Sequence, residues 1–251
     1  MTIRPETVPM PRALAARPRD ARGYPIPAIT PWSGGQPHFA EQSSIRTLIC
    51  LMERRCAVCG TPMARGPVWR MVDGDTAEAV ALSLETGKPL IRAAAAAEGP
   101  GHRACMIYSA MVCPHLTSPH ARRSRETTLA LTELPKGLPR GQSAGIAGFD
   151  SYRFQLTALG VEIYFGQPVE LVTYEQGEQL RAELEAELAH DHRAPQPCPA
   201  YLLDDDDAAR TTLARLVRAE RDGWTPAANR RLERARKDRR RADKAARRKN
   251  R

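Results

Sequence analysis

Apolar side chains recur with helical spacing in four segments of the chain. In the first, Ser44–Met52, they fall on one face of a helix. In the second, 102–113, a helix follows the break at 99–101 and is ended by Pro114. The third, 178–189, carries leucines four residues apart, and the fourth opens with the aspartates at 204–207. We predict a helix in each segment.

Strand-like patterns occur before and after the second predicted helix. Residues 68–72 alternate and lead into a turn at 73–75, after which 79–84 are predicted to form the second strand of a hairpin. Four further strands are predicted, at 128–131, 154–159, 161–165 and 169–174. The first 43 residues are rich in Pro, Gly and Arg and show neither period, so we predict an extended arm. Its apolar side chains are predicted to lie along a neighbouring surface.

Charge changes this picture at one end of the chain. The formal net charge is +9, but residues 226–251 contain thirteen Lys or Arg and three acids, a local net of +10, and the rest carries −1. Such a density of positive charge is typical of phosphate binding. The predicted nucleic-acid-binding side chains are Arg230, Arg231, Arg234, Arg236, Lys237, Arg239, Arg240, Arg241, Lys244, Arg247, Arg248 and Lys249.

The apolar runs are too short for a signal-peptide core or a membrane-spanning helix. We therefore expect a cytoplasmic protein without a membrane partner. Thiols stay reduced in that compartment, so the six cysteines are expected to serve metal binding or packing rather than disulfide formation.

Two pairs of residues have the spacing of metal ligands. Cys56 and Cys59 form a Cys-x-x-Cys pair followed by Gly60, the usual form of a zinc knuckle. His102 and Cys105 lie three residues apart at the start of the second predicted helix, so both project from one face. A knuckle, a hairpin and two ligands in the first turn of a helix describe a treble-clef arrangement. We predict one bound Zn²⁺ held by these four side chains.

Cys113 is a candidate additional member of the metal site, because it falls on the same helix face as Cys105, two turns further on. The four thiols of Cys56, Cys59, Cys105 and Cys113 would suit an iron–sulfur cluster, which is an alternative to zinc. Cys50 and Cys198 have no partner pattern and are interpreted as structural.

The sequences GYPIPAITPW, RRCAVCG and HRACMIYSAMVCPHL resemble an uncharacterised protein family of high-GC actinobacteria and their phages. The family pattern is C-x-x-C-G followed by H-x-x-C-A-x-Y-A-x-x-x-C-P, and Met106 departs from it where alanine is usual. The resemblance covers most of residues 24–190. It implies the two metal pairs, favours Cys113 as a site member and implies no activity.

Together these patterns predict an α+β protein in which a treble-clef-like zinc module precedes a small strand-rich α+β unit and a helical basic tail. The predicted segments are an arm at 1–43, the zinc module at 44–122, the α+β unit at 123–194, a linker and helix at 195–225, and the tail at 226–251.

The sequence favours a non-enzymatic protein. Treble-clef nucleases need a histidine base soon after the knuckle, and none lies between Cys59 and His102. No phosphate-cradling glycine loop, nucleophile motif or small-molecule site is evident. We therefore predict a zinc protein that binds nucleic acid through its tail. A zinc-stabilised protein–protein adaptor and an iron–sulfur or redox sensor are the alternatives.

Overall fold

The computed structural model describes residues 4–90, 99–123, 127–129, 132–134, 136–157, 160–191, 197–203 and 206–223. This described part divides into one compact unit that ends at Ala209 and a second that begins at Arg210. The basic segment 226–251 and the residues at 130–131, 158–159 and 204–205 lie outside the described residues. The predicted helical tail and the predicted strand ends at 130–131 and 158–159 therefore fall outside this part of the chain.

Six α-helices are described, and the four predicted helices are among them. Ser43 caps the first predicted helix by accepting a hydrogen bond from the backbone N–H of Arg46 at 3.3 Å. The third predicted helix starts with a 3₁₀ turn, Gly177–Leu180. No helix in the described ranges has the length and apolarity to cross a membrane. The helices are α1 (Arg12–Ala15), α2 (Ser44–Met52), α3 (Gly74–Thr86), α4 (Arg103–Val112), α5 (Arg181–Ala189) and α6 (Asp206–Gly223).

The prediction of a second strand at 79–84 is wrong, because these residues belong to α3. The Asp73 side chain accepts a hydrogen bond from Thr76 N at 2.8 Å and so caps a helix where a hairpin turn was predicted. Ala77 and Val80, three residues apart, are buried. Gly87 ends the helix with φ = 64°, a left-handed conformation that glycine adopts readily.

Within the described ranges, nine strands form four small antiparallel sheets. The largest has the order β3–β6–β9, and the other three are the pairs β1–β2, β4–β5 and β7–β8. Five of the predicted strand segments therefore correspond to β3, β4, β7, β8 and β9. The strands are β1 (Trp32–Ser33), β2 (Gln36–Pro37), β3 (Val68–Asp73), β4 (Thr127–Leu129), β5 (Thr132–Leu134), β6 (Ala144–Phe149), β7 (Tyr152–Thr157), β8 (Gly160–Phe165) and β9 (Pro168–Tyr174).

Strand β6 is the centre of the largest sheet, and the sequence patterns did not indicate it. Its sequence, AGIAGF, is rich in Gly and Ala, which are depleted in strands, yet every residue in it is buried. The reason is close packing. A Cβ atom at Gly148 would lie 2.7 Å from the Trp69 ring, and one at Gly145 would lie 3.2 Å from Val72.

Helices cover both faces of this sheet. Gly145 faces α3, because a Cβ atom at Gly145 would lie 3.4 Å from the Cβ atom of Ala77. Gly148 faces Trp69, whose ring lies 5.3 Å from the guanidinium of Arg103 at the start of α4. Because Gly145 and Gly148 are three residues apart, they point to opposite faces. The order is therefore α3, sheet, α4, and the sheet joins a strand of the predicted zinc module to two strands of the predicted α+β unit.

The N-terminal segment lies along the chain around the knuckle. Ala28 N donates to Val58 O at 2.9 Å, and Ile26 is buried. Arg17, only 3% exposed, donates to Ile26 O at 2.8 Å and to Leu202 O at 2.7 Å. One buried guanidinium thus connects the N-terminal segment to residues 197–203.

A second buried arginine holds the start of α6. The Arg46 side chain is fully buried and donates to Leu203 O and, at 2.7 Å, to the carboxylate of Asp206. The prediction that the aspartates at 204–207 open a helix is confirmed for Asp206 and Asp207. The sequence did not indicate that one of them neutralises a buried cation.

We predict that Gly148→Ala destabilises the protein by about 1–3 kcal/mol, because the added methyl group would overlap the Trp69 ring. Urea denaturation measures the effect. In a Trp69→Leu background the cost should fall below about 1 kcal/mol, because the two sites are in direct contact. An equal cost in both backgrounds would contradict this packing.

We also predict that Asp206→Asn lowers the free energy of unfolding by about 1–3 kcal/mol, because it leaves the Arg46 guanidinium buried without its counter-charge. Asp75→Asn is the matched control, since Asp75 also lies in the first turn of a helix but is exposed. The control should cost under about 1 kcal/mol. Equal losses in the two variants would show that only the helix dipole is involved.

Candidate metal centre

The backbone between the first two cysteines forms a tight knuckle. Gly60 N donates to Cys56 O at 2.8 Å, and Cys56 N donates to Thr61 O at 2.9 Å. Gly60 closes the turn with φ = 76°, so its predicted role is confirmed. The space beside it is also filled, because a Cβ there would lie 2.6 Å from Cys198 Sγ. The two thiols are thereby fixed on one side of a turn.

The second pair of candidate ligands lies at the start of α4, as predicted. His102 is the residue before the helix, and Cys105 is in its first turn. Gly101 and Trp69 exchange backbone hydrogen bonds of 2.9 and 3.0 Å, which attach the start of α4 to β3. Ala57 N donates to Pro100 O at 2.9 Å, which attaches the same segment to the knuckle.

The four candidate ligand atoms converge. The thiol sulfurs of Cys56, Cys59 and Cys105 and a ring nitrogen of His102 all lie within 4.8 Å of one another. His102 Nδ1 is 3.4 Å from Cys59 Sγ and 3.9 Å from Cys105 Sγ. In a tetrahedral zinc site a sulfur and a nitrogen ligand are about 3.5 Å apart, given bond lengths of about 2.3 and 2.0 Å. The group could therefore hold one metal ion.

The imidazole is oriented for coordination through Nδ1. Its Nε2 lies 3.1 Å from Pro62 O, and a carbonyl oxygen only accepts hydrogen bonds. Nε2 therefore carries the proton, and the Nδ1 lone pair faces the three thiols. A carbonyl that fixes the tautomer of a ligating histidine is a common outer-shell partner in metal sites.

Hydrogen bonding prepares one thiol for ionisation. Burial opposes ionisation of Cys56, but hydrogen bonds from the Cys105 and Cys59 thiols and from backbone N–H groups outweigh it. The pKa of Cys56 consequently lies well below its usual value. The pKa of Cys105 is raised, first because its thiol donates to Cys56 and Cys59 and then because it is buried. Thiolate is the ligand form, so a bound cation is needed to ionise Cys105.

Several neighbours support the ligands. Thr61 Oγ1 lies 3.1 Å from Cys59 Sγ, and the backbone N–H of His102 donates to Cys56 Sγ at 3.4 Å. Arg103 stacks on Trp69 and forms ion pairs with Glu170, Glu183 and Glu187, at 2.7, 2.7 and 3.4 Å. The sequence patterns did not indicate these residues. The available signal was position alone, since Thr61 lies two residues after Cys59 and Arg103 directly follows His102.

Cys113 does not belong to the cluster. It ends α4 at the opposite end from His102, about 12 Å along the axis from Cys105 at 1.5 Å per residue. His102 occupies the fourth position instead, which removes the four-thiol set on which the iron–sulfur alternative depended. The expectation of Cys113 as a site member, favoured by the family resemblance, is therefore corrected for this cluster.

The two cysteines interpreted as structural lie near the knuckle. Cys50 in α2 is fully buried, and burial is the main reason that its pKa is raised. Cys198 accepts a hydrogen bond from Arg17 at 2.8 Å, but burial still raises its pKa. All six cysteines lie in the described ranges, and none of them forms a disulfide bond there. The predicted nucleic-acid-binding side chains lie outside the described residues.

The chain matches no known family model, no curated protein and no solved structure. The resemblance described from the cysteine motifs therefore stays a prediction. What the site can do follows from its own geometry.

We predict that Cys105→Ser removes the bound metal and lowers the free energy of unfolding by at least about 3 kcal/mol, because metal binding is coupled to folding. Cys113→Ser is the matched control on the same helix, outside the cluster, and should keep one metal per chain. Elemental analysis and thermal unfolding, with and without a chelator, measure both effects. Equal metal content in the two variants would contradict this assignment of the site.

Proposed function

We propose that this chain is a non-enzymatic zinc protein that binds nucleic acid through residues 226–251. The observation that carries the metal part of the proposal is the convergence of three thiols and one imidazole. Three sulfurs and one nitrogen at these separations suit the tetrahedral preference of Zn²⁺. The buried thiols favour a soft or borderline cation over Mg²⁺ or Ca²⁺, which prefer oxygen ligands.

The proposed module is treble-clef-like. It keeps the knuckle and the two ligands at the start of a helix. The hairpin of a standard treble clef is replaced by β3 and α3, and the backbone exchange between Trp69 and Gly101 provides the remaining strand pairing. The cytoplasm suits such a site, because its thiols must stay reduced.

A structural rather than catalytic role for zinc is supported by the ligand set. Four protein side chains complete a tetrahedral shell, whereas catalytic zinc usually keeps one position for water or substrate. Cys56 and Cys59 are fully buried, and Cys105 is 1% exposed. When bound, zinc would supply a cross-link between the knuckle and α4 and a positive charge that holds the thiolates ionised.

Nucleic-acid binding is supported by charge alone. Residues 226–251 carry a net +10, and the remaining chain carries −1. Thirteen basic side chains can each displace a counterion from a phosphate, but the segment contains no aromatic residue to stack on a base. We therefore propose binding through phosphates without sequence readout by this segment.

We predict that affinity for random duplex DNA falls with salt at a logarithmic slope of about −5, as expected when about six phosphates are contacted. Fluorescence anisotropy at several salt concentrations measures the slope. RNA should bind comparably, because the contacts are to the backbone.

Two variants serve as controls for this prediction. A 1–225 chain and a full-length chain with the twelve basic candidates changed to Gln should both lose most of the affinity. Cys113→Ser should retain it, because it leaves the basic segment and the metal centre intact. Unchanged affinity in the first two variants would contradict the proposal and favour the adaptor function.

A further inference from the structure

Two arginines and one histidine lie together where the β4–β5 hairpin joins the rest of the fold. The chain segments on either side of the hairpin pair antiparallel. Arg123 N donates to Leu138 O at 2.9 Å, and Arg140 N donates to Ala121 O at 3.1 Å. In this register Arg123 and Arg140 are diagonal neighbours on one face, a separation that long side chains can span.

His115 completes the cluster from the turn after α4. That turn is fixed by hydrogen bonds of Leu116 N and Thr117 N to Cys113 O, at 2.9 and 3.0 Å. Burial lowers the pKa of His115, and the positive charges of Arg123 and Arg140 lower it further. The positive charges of both guanidinium groups therefore act on the imidazole.

The orientation of Arg140 leaves hydrogen-bond donors unused. Its Nη2 donates to the carbonyl oxygens of Gln142 and Glu175, and its guanidinium lies 5.2 Å from the Tyr174 ring centre. Its Nε and Nη1 are buried and have no hydrogen-bond partner, and the same holds for Nδ1 of His115. Among the described residues, no carboxylate forms an ion pair with Arg140.

This arrangement is unfavourable unless an anion is bound. A buried donor without an acceptor costs about 1–3 kcal/mol, and a charged donor costs more. A tetrahedral oxyanion would supply the missing acceptors, because its oxygens accept several hydrogen bonds and guanidinium binds phosphate in a bidentate manner.

We propose that His115, Arg123 and Arg140 form a binding site for one phosphate group. The phosphate belongs to a small phosphate ester or to a nucleic-acid backbone. The site uses none of the metal ligands and none of residues 226–251, so it does not rest on the function proposed above. If the source is nucleic acid, the site adds a contact made by the folded part of the chain.

Titration of the zinc-loaded full-length protein with inorganic phosphate tests the proposal, at constant ionic strength set with chloride. NMR signals of the His115 ring and of the Arg140 Nε–H group report on the site itself. We expect both signals to shift in a saturable manner with one phosphate per chain. No saturable shift of either signal would overturn the proposal.

Matched variants separate this site from general positive charge. Arg140→Gln should weaken phosphate binding at least about tenfold, the loss of one charge-assisted contact of about 1.4 kcal/mol or more. Arg153→Gln removes the same charge from an exposed position on β7, where Arg153 stacks on Tyr164, and should change affinity less than about twofold. Equal effects of the two variants would overturn the proposal.

Arg140 also donates a hydrogen bond to the Glu175 carbonyl oxygen, which contributes to folding. A second variant therefore controls for a loss of folding in Arg140→Gln. His115→Gln keeps a polar side chain and should weaken binding by about threefold or more, with an unchanged circular dichroism spectrum. Unaltered phosphate affinity in this variant would remove His115 from the site and contradict the proposal.

Two ligands distinguish the sources of the phosphate. A dinucleoside monophosphate offers only a diester, and a nucleoside monophosphate offers only a monoester. Stronger binding of the diester at His115 assigns the site to a nucleic-acid backbone, and stronger binding of the monoester assigns it to a small ligand. Failure of both ligands to shift the His115 signal would overturn the site without affecting the salt dependence predicted for residues 226–251.

Discussion

The constraint on which the fold depends is the meeting of two ligand pairs separated by 42 residues of sequence. The knuckle alone is a turn of a few residues, and α4 alone is a three-turn helix. Their contact fixes where β3 and α3 lie, because both elements are in the intervening chain. Trp69 connects the start of α4 to the sheet, since its backbone pairs with Gly101 and its ring packs on Gly148 of β6.

The proposed zinc and the surrounding packing depend on each other. Three buried thiols gather around one imidazole, and hydrogen bonds among them lower the pKa of Cys56 and raise the pKa of Cys105. A divalent cation would hold the thiolate forms and replace these hydrogen bonds with coordination bonds. The buried Arg17 donates hydrogen bonds both to the N-terminal segment and to residues 197–203, next to the same knuckle. This suggests why a chain with few aromatic residues can maintain a compact unit around this centre.

The parts that could be predicted from sequence are those specified locally. The Cys-x-x-Cys-Gly turn and the His-x-x-Cys pair at a helix start carry their geometry in a few adjacent residues. The strand prediction at 79–84 was wrong because Asp73 suits both a hairpin turn and a helix cap. In the structure the Asp73 side chain accepts a hydrogen bond from Thr76 N and so caps a helix. Strand β6 could not be predicted, because its glycines are explained by Trp69 and Val72, which are distant in sequence. The ion pair of Arg46 with Asp206 is equally non-local.

X-ray absorption at the zinc edge of the purified full-length protein tests the central claim most directly. We predict a shell of three sulfur atoms at about 2.3 Å and one nitrogen at about 2.0 Å, with imidazole outer-shell scattering from His102. Conversion of His102 to Cys should change this to a four-sulfur shell. A wild-type spectrum with four sulfurs, with mainly oxygen ligands or with iron in place of zinc would contradict the account.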